Sequence, residues 1–298
     1  MKHWIKAFRL RTLPLGVMSI GMGSLLAYAD DKFSWLICGM TLLTTILLQI
    51  LSNVANDYGD SINGADNDYR QGPDRQTQIR SISTTAMKRA MYILGALAIG
   101  CGLTLLIISN VPMQTLLSFL VLGLVCVAAA IWYTAGDNPY GYAGLGDVSV
   151  LVFFGWVGVL GSYYLQSQSM EWLYALPATT CGLFMVGVLN INNIRDIYSD
   201  RKAGKYSIPV RLGRDKAVVY HWTLLIVGLI LTIIFVILNY RGAIQFLFLI
   251  TIPLLIINGR SVLIKTEAMS LDPYLKQMVL TTIVFVITFG AGHLISLI

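Results

Sequence analysis

The sequence predicts an all-α integral membrane protein with nine transmembrane helices. Only 12% of its 298 residues are charged, whereas soluble domains carry roughly 25%. The mean hydropathy is +0.70, and long windows such as residues 111–133 and 218–239 are nearly free of charge. Each of these windows reaches the roughly 20 residues that a helix needs to cross about 30 Å of hydrocarbon. Helices of a soluble protein with a large core carry an apolar stripe on one face. These windows are apolar on all faces, which excludes that class of protein.

Nine apolar segments carry this prediction, and together they form one transmembrane domain that spans residues 1–298. The segments lie at about 13–29, 34–55, 86–108, 112–133, 147–167, 172–192, 217–239, 242–263 and 277–298. The cysteines lie inside these segments without CxxC pairing: Cys38, Cys101, Cys126 and Cys181. We interpret them as packed apolar side chains and not as disulfides or metal ligands.

The charged loops predict the orientation. If the segments cross the membrane alternately, every Lys and Arg except Lys32 and Arg241 falls on one side. The positive-inside rule makes that side cytoplasmic and places the N-terminus there. This topology also explains the net charge of +6 without a nucleic-acid partner. The acids share the asymmetry, since only Asp30, Asp31 and Glu171 lie opposite. Topology rules give acids little weight, so this clustering indicates a functional cytoplasmic surface.

The first acidic motif follows the second apolar segment. If the helix continues beyond that segment, four polar side chains occupy positions i, i+3, i+4 and i+7 on one helical face. They are Asn53, Asn56, Asp57 and Asp60. Asp66 follows shortly afterwards.

A second acidic motif ends the sixth segment, where Asn192, Asp196 and Asp200 are spaced at i, i+4 and i+8. Carboxylates stacked on one helix face repel each other, and burial near a bilayer increases the cost. A bound cation would offset this repulsion. Carboxylate and amide oxygens suit Mg²⁺, and the absence of His and Cys from both motifs argues against zinc or copper.

Basic residues follow both motifs: Arg70, Arg75 and Arg80 after the first, and Arg201, Lys202, Lys205 and Arg211 after the second. Arginine forks and lysine ammonium groups bind phosphate oxygens, so these runs are candidates for binding a diphosphate. The positive-inside rule remains an alternative explanation for each individual arginine. Two similar motifs, each phased on a helix end and each followed by basic residues, favour a metal-bridged diphosphate site. They also indicate two pseudo-symmetric halves that face each other across a cavity.

These motifs resemble the UbiA superfamily of intramembrane aromatic prenyltransferases, and within it the 1,4-dihydroxy-2-naphthoate polyprenyltransferases. The matching stretches are residues 8–14, 53–66, 141–148, 153–155, 192–205 and 210–213. The general superfamily pattern would place an acid at position 64, where this chain has Gly64, with Asp66 two residues later. That spacing resembles the naphthoate branch and argues against the 4-hydroxybenzoate and protohaem branches.

The resemblance implies a UbiA-like helical bundle around a central cavity, in the inner membrane of a bacterial cell, with a site that faces the cytoplasm. It implies two Mg²⁺ ions, held by Asn56, Asp57, Asp60 and Asp66 and by Asn192, Asp196 and Asp200. It implies that Arg75, Arg201 and Lys205 bind the diphosphate of a polyprenyl donor, with Asp60, Asp196 and Lys205 as catalytic candidates. The implied reaction transfers the prenyl group to 1,4-dihydroxy-2-naphthoate with loss of its carboxylate, which gives demethylmenaquinone.

Several alternatives stay open at this point. Another aromatic acceptor, such as homogentisate or 4-hydroxybenzoate, would use the same donor chemistry. An ion-coupled transporter would also carry intramembrane acids, although these usually lie near mid-membrane. For a general base or an acceptor ligand, Lys205, Arg195 and Asp147 are candidates, and Asp147 is equally explained as a helix N-cap. The sequence leaves the prenyl chain length and the oligomeric state undetermined.

Overall fold

The structure is a computed structural model that describes residues 2–63 and 82–298. Within these residues, nine helices are long and apolar enough to cross a membrane. They are α1 (His3–Ala29), α2 (Trp35–Ile62), α3 (Thr84–Ile108), α4 (Met113–Trp132), α5 (Gly146–Ser167), α6 (Trp172–Arg195), α7 (Arg214–Leu238), α8 (Ala243–Ile264) and α9 (Ala268–Ile295). The nine-helix prediction is therefore confirmed, and the predicted orientation of the N-terminus stays a prediction.

Three helices extend beyond their predicted apolar segments. Helix α1 begins at His3, well before residue 13, and includes a turn at Arg9. Helix α2 extends beyond its apolar segment to Ile62, as the spacing of the first motif required. Within α9, Ala268–Leu271 form a 3-10 turn and the α-helix begins at Asp272, several residues before the approximate start near residue 277 that the sequence predicted. Asp272 and Lys276 lower the local hydropathy, but Pro273 is favourable in a first helical turn and the helix begins there. Lys276, which lies just outside the predicted ninth segment, is therefore part of this helix.

Local sequence explains how several helices begin. Ser34 precedes α2, and its hydroxyl accepts a hydrogen bond from the Ile37 N–H at 3.4 Å. Ser83 caps α3 in the same way, through the Ala86 N–H at 3.2 Å. Such caps satisfy backbone donors that have no partner inside the helix.

The helices pack in two groups. Helices α2, α3 and α4 pack on one another, and α6 packs against α5, α7 and α9. Five fully buried aromatic residues fill the second group: Phe184, Phe235, Phe248, Phe285 and Phe289. Between the groups, residues Leu151–Leu160 of α5 are wound as a π-helix. This conformation is rare and is frequently found at functional sites.

The two acidic motifs meet at the same end of the bundle. After α6, the chain forms the short helices Ile197–Lys202 and Ile208–Leu212. The segment between α4 and α5 lies against them, because the Tyr206 N–H donates a hydrogen bond of 2.8 Å to the Tyr142 carbonyl. The end of α2 reaches the same place, where the Tyr142 hydroxyl contacts Asp60. Thus the fold brings together segments that lie far apart in the sequence.

Candidate active site

A cavity of about 440 Å³ lies between the two helix groups. Most of its lining is apolar and comes from α1 to α6, including Phe119, Leu120, Phe153, Phe154 and Met185. Its polar end carries side chains from both motifs and from the segments around them. These are Arg9, Asn56, Asp60, Tyr133, Asn192, Asn193 and Lys205. An apolar chamber with a charged end suits a substrate that has a long apolar tail and an anionic head.

The first motif presents its side chains to different partners. Asp60 is 3% exposed, and its Oδ1 accepts a hydrogen bond of 2.8 Å from the Tyr142 hydroxyl. Asn56 accepts a hydrogen bond of 3.0 Å from the Thr134 hydroxyl. Asp60 and Asn56 both line the cavity, so the sequence-predicted helical face is directed towards it at these two positions.

Asp57 is held by an arginine that the sequence analysis did not assign to the site. It is buried and forms an ion pair with Arg9. Within α1, Arg9 lies between the short helix Lys2–Ala7 and the 3-10 turn Leu10–Thr12. Its backbone is left-handed, with a φ of 50°. That conformation is uncommon for a residue other than glycine, and such conformations cluster at functional sites. The turn at Arg9 places its guanidinium both against Asp57 and in the lining of the cavity.

The second motif is organised by Arg195. This arginine is 6% exposed, and it donates to both carboxylate oxygens of Asp196, at 2.8 Å from Nε and 2.7 Å from Nη2. Nη1 donates to Asp272 of α9 at 2.7 Å, and Nη2 donates to Asn192 Oδ1 at 2.9 Å. A bidentate arginine–carboxylate pair has a fixed geometry. Arg195 therefore fixes the orientation of Asp196 and links the motif to the last helix.

Asp200 lies one helical turn beyond Asp196. The Lys205 ammonium lies 3.5 Å from its carboxylate, and Asp200 Oδ2 is buried without a hydrogen bond among the described residues. Burial raises the pKa of Asp200 to about 6; Lys205 opposes this shift, while the negative charges of Asp196 and Asp60 add to it. The charges of both motifs therefore act on the same carboxyl group.

These groups fit a magnesium ion that is shared with a phosphate-bearing substrate. In the described part of the chain, no three acidic, histidine or cysteine side chains converge into a complete metal cage. Mg²⁺ does not need one, because it usually binds through one or two carboxylates, water and substrate phosphates. The buried Asp200 carboxylate, whose Oδ2 accepts no hydrogen bond among the described residues and lies 3.5 Å from the Lys205 ammonium, can supply an oxygen ligand of that kind.

The other predicted site residues have different positions. Asp66 and Arg75 lie outside the described residues. Arg201 is exposed, and its guanidinium lies 3.4 Å from the Val210 carbonyl. The N-cap interpretation of Asp147 was wrong, because Leu145 occupies that position and Asp147 lies inside the first turn of α5. Asp147 is buried, and its carboxylate faces Tyr220 of α7.

The aromatic residues around the cavity divide into two sets. Tyr133, Tyr140, Phe153 and Phe154 line it, and the Tyr133 and Tyr140 rings meet edge to face with centroids 5.3 Å apart. Burial raises the pKa of Tyr133, and the negative charges of Asp147, Asp200 and Asp60 contribute further. Trp156 is 43% exposed and is not among the residues that line this cavity.

Comparisons with known proteins agree with this arrangement. Residues 17–274 match the UbiA prenyltransferase family. The chain is 43% identical to a 1,4-dihydroxy-2-naphthoate octaprenyltransferase of Escherichia coli, over 95% of this chain and 94% of that protein. It is 42% identical to the protein of the same name from Haemophilus influenzae, over 99% of this chain and 97% of that protein.

The fold also matches a solved structure. A UbiA homolog from Archaeoglobus fulgidus, solved bound to DMAPP and Mg²⁺, superimposes with a TM-score of 0.68 at 14% identity, covering 98% of this chain and 99% of that one. Family membership decides for an enzyme and against an ion-coupled transporter. This chain belongs to the UbiA prenyltransferase family and is a multi-pass membrane prenyltransferase.

Proposed function

We propose that the protein transfers a polyprenyl group from a polyprenyl diphosphate to 1,4-dihydroxy-2-naphthoate in a Mg²⁺-dependent reaction. The acceptor loses its carboxylate as CO₂, the diphosphate leaves, and the product is a demethylmenaquinol, the reduced form of a demethylmenaquinone, for menaquinone biosynthesis. We place this reaction in one domain, residues 1–298, of a bacterial inner-membrane protein whose site faces the cytoplasm. The observation that carries the proposal is that Asn56 and Asp60 of the first motif, Asn192 of the second motif and Lys205 line the same apolar cavity. The names of the relatives support the choice of acceptor.

The diphosphate would bind at this polar end. Asn56 and Asp60 from one motif and Asn192, Asp196 and Asp200 from the other would hold magnesium there. Bound Mg²⁺ supplies electrostatic stabilisation of the charge that grows on the departing diphosphate. Asp57 and Asp66 complete the proposed first ligand group. Asp57 also forms an ion pair with Arg9.

Lys205 has the geometry of a diphosphate ligand. Its ammonium lies 3.5 Å from Asp200, and its side chain also lines the cavity. A lysine ammonium has three donors, so it can contact Asp200 and a phosphate oxygen together. Arg75 and Arg201 are proposed to add charge around the same diphosphate.

The apolar part of the cavity would hold the prenyl chain and exclude water from its first carbons. As the allylic C–O bond breaks, positive charge develops on the prenyl group. Tyr133, Phe153 and Phe154 line the cavity, and an aromatic face stabilises a nearby cation by about 0.5–2 kcal/mol. The electron-rich acceptor ring then attacks the allylic carbon.

The proposal is tested in membranes that contain the expressed chain. A radiolabelled polyprenyl diphosphate is offered with 1,4-dihydroxy-2-naphthoate, homogentisate or 4-hydroxybenzoate, each with Mg²⁺ or with EDTA. Label should enter a lipid product only with the naphthoate and Mg²⁺, and the product mass should show the loss of CO₂. Transfer to homogentisate or 4-hydroxybenzoate with none to the naphthoate would replace the acceptor assignment. Undiminished transfer in EDTA would remove the metal from the mechanism.

A further inference from the structure

Three asparagines near the end of α6 have different surroundings. Asn192 is engaged within the second motif, since its side chain contacts Arg195 and Asp196. Asn190 is fully buried and donates to the Ala217 carbonyl of α7 at 3.2 Å. Asn193 is 3% exposed, and its Oδ1 accepts no hydrogen bond within the part of the chain that the structure describes. Of the three, Asn193 combines an unpartnered buried oxygen with a place in the cavity lining.

An unpartnered buried amide oxygen needs an explanation, because more than nine in ten buried polar groups have a hydrogen-bond partner. The helix geometry argues against Asn193 as a ligand of the second metal site. Asn193 follows Asn192 by one residue, which rotates its side chain by about 100° from the line of Asn192 and Asp196. Its Oδ1 is therefore suited to another ligand in the cavity.

The hydroxyl of Tyr133 lies on the same part of the cavity lining. A Cβ added at Gly146 would lie 2.7 Å from the Tyr133 hydroxyl and 3.3 Å from Leu189 Cδ2. Leu189 lies one helical turn before Asn193, so the Asn193 amide and the Tyr133 hydroxyl border a common region. Gly146 allows this approach because it has no side chain.

The chemistry of the proposed substrates identifies the ligand. Asn193 Oδ1 needs a hydrogen-bond donor. The prenyl chain has no donor, and an ionised diphosphate is an acceptor. A phenolic hydroxyl is a donor and can also accept, so the ring hydroxyls of the aromatic acceptor meet the requirement.

We propose that Asn193 binds the aromatic acceptor, with its side-chain carbonyl accepting a hydrogen bond from a ring hydroxyl. Tyr133 contributes to the same subsite. This inference rests on the proposed function, because it takes the acceptor to be a hydroxylated aromatic acid. It assigns acceptor specificity to α6, one residue away from the metal-binding line of the same helix.

The test measures the Michaelis constant (KM) of each of the two substrates separately. Wild type, Asn193→Leu and Asn193→Ala are assayed with 1,4-dihydroxy-2-naphthoate and a polyprenyl diphosphate, each varied in turn, and then with varied Mg²⁺. In both variants the acceptor KM should rise about ten- to hundredfold, as expected for an unfulfilled buried hydrogen bond. The diphosphate KM and the half-saturating Mg²⁺ concentration should stay within about twofold of wild type.

Asn190→Leu is the matched control, because it removes a buried amide with an unpartnered oxygen outside the cavity lining. Its acceptor KM should equal that of wild type even where its thermal stability falls. Asn193→Ala adds no bulk, so it keeps the test valid if the leucine variant folds poorly.

Two results would overturn the assignment of Asn193: an unchanged acceptor KM in both Asn193 variants, or a matching rise in the diphosphate KM or the Mg²⁺ requirement. Failure of the proposed function looks different, because wild type itself would then transfer no prenyl group to the naphthoate.

Discussion

The Tyr142 hydroxyl donates a hydrogen bond of 2.8 Å to Asp60 Oδ1. The main-chain carbonyl of the same tyrosine accepts a hydrogen bond from the Tyr206 N–H at 2.8 Å. Tyr142 therefore joins a proposed metal ligand of α2 to the segment that follows the second motif. One residue between α4 and α5 connects the two halves of the site.

Replacing Tyr142 with phenylalanine should weaken Mg²⁺ binding, because Asp60 loses a donor that orients its carboxylate. A hydrogen bond to a charged group contributes about 1.5–3 kcal/mol, so the half-saturating Mg²⁺ concentration for prenyl transfer should rise about tenfold or more. Tyr206→Phe is the control, because the Tyr206 side chain is 53% exposed and its contact with Tyr142 is through the backbone. Equal Mg²⁺ dependence in the two variants would contradict a positioning role for Tyr142.

Arg195→Met should lower the thermal stability of the detergent-solubilised protein. The substitution leaves Asp196 and Asp272 without their cation, and removal of one partner from a buried ion pair typically costs about 3–5 kcal/mol. Asp272→Asn should cost less, because the side chain of Asp272 is 28% exposed, against 4% for Arg195. The melting temperatures should fall in the order wild type, Asp272→Asn, Arg195→Met. An Arg195→Met protein as stable as wild type would contradict a stabilising role for the ion pairs of Arg195.

The pKa of Asp200 predicts a pH-dependent stability in the absence of metal. The carboxyl has a pKa of about 6 in the fold, raised first by burial and then by Asp196 and Asp60, and of about 3.9 in an unfolded chain. The folded protein therefore holds the proton more tightly. The stability that this group contributes is complete below about pH 4 and is lost as the pH rises through about 6.

In EDTA, wild type should lose about 1–3 kcal/mol more stability than Asp200→Asn between pH 4 and pH 7. Thermal unfolding across this pH range measures the difference. Added Mg²⁺ should reduce the loss at pH 7, since the metal binds the ionised carboxylate. Parallel pH profiles for wild type and Asp200→Asn would show that Asp200 titrates normally.

A bulky side chain inside the cavity should shorten the accepted prenyl chain. Gly123 of α4 lines the cavity, and a Cβ added there meets no atom within 4 Å. Gly123→Phe should therefore lower kcat/KM for octaprenyl diphosphate by about tenfold or more while a short donor such as geranyl diphosphate is less affected. Gly100→Phe on α3, where the added Cβ is equally unobstructed and the residue is exposed, serves as the control. The same loss for both donors would argue against a chain-binding cavity.

The helices and motifs could be predicted because their signals are local. A membrane span is a run of apolar residues, and a shared helical face follows from spacing at i, i+3 and i+4. The extension of α2 to Ile62 followed from the spacing of Asn53, Asn56 and Asp60. The start of α9 was misplaced because Asp272 and Lys276 resemble loop residues, whereas Asp272 is stabilised by Arg195 from another helix.

The partners of the motif residues could not be predicted, because they come from distant parts of the chain. Arg9 pairs with Asp57 across 48 residues, and Tyr142 contacts Asp60 across 82 residues. In the sequence, Arg9 is indistinguishable from the other basic residues of a cytoplasmic tail. Arg195 was a candidate for substrate chemistry, and the structure shows its guanidinium engaged by Asp196 and Asp272. Such ion pairs arise from tertiary packing.

The central claim is that both acidic motifs act together on one Mg²⁺-bound diphosphate. It is tested most directly by Mg²⁺-dependent prenyl transfer in purified Asp60→Asn, Asp196→Asn and Asp200→Asn, each first shown to be folded by its thermal unfolding. Each substitution keeps the size of the side chain and removes a charge that we propose to hold Mg²⁺. The account predicts that transfer is abolished when either motif is altered, at every Mg²⁺ concentration tested. Full activity in Asp60→Asn, or full activity in both Asp196→Asn and Asp200→Asn, would contradict it.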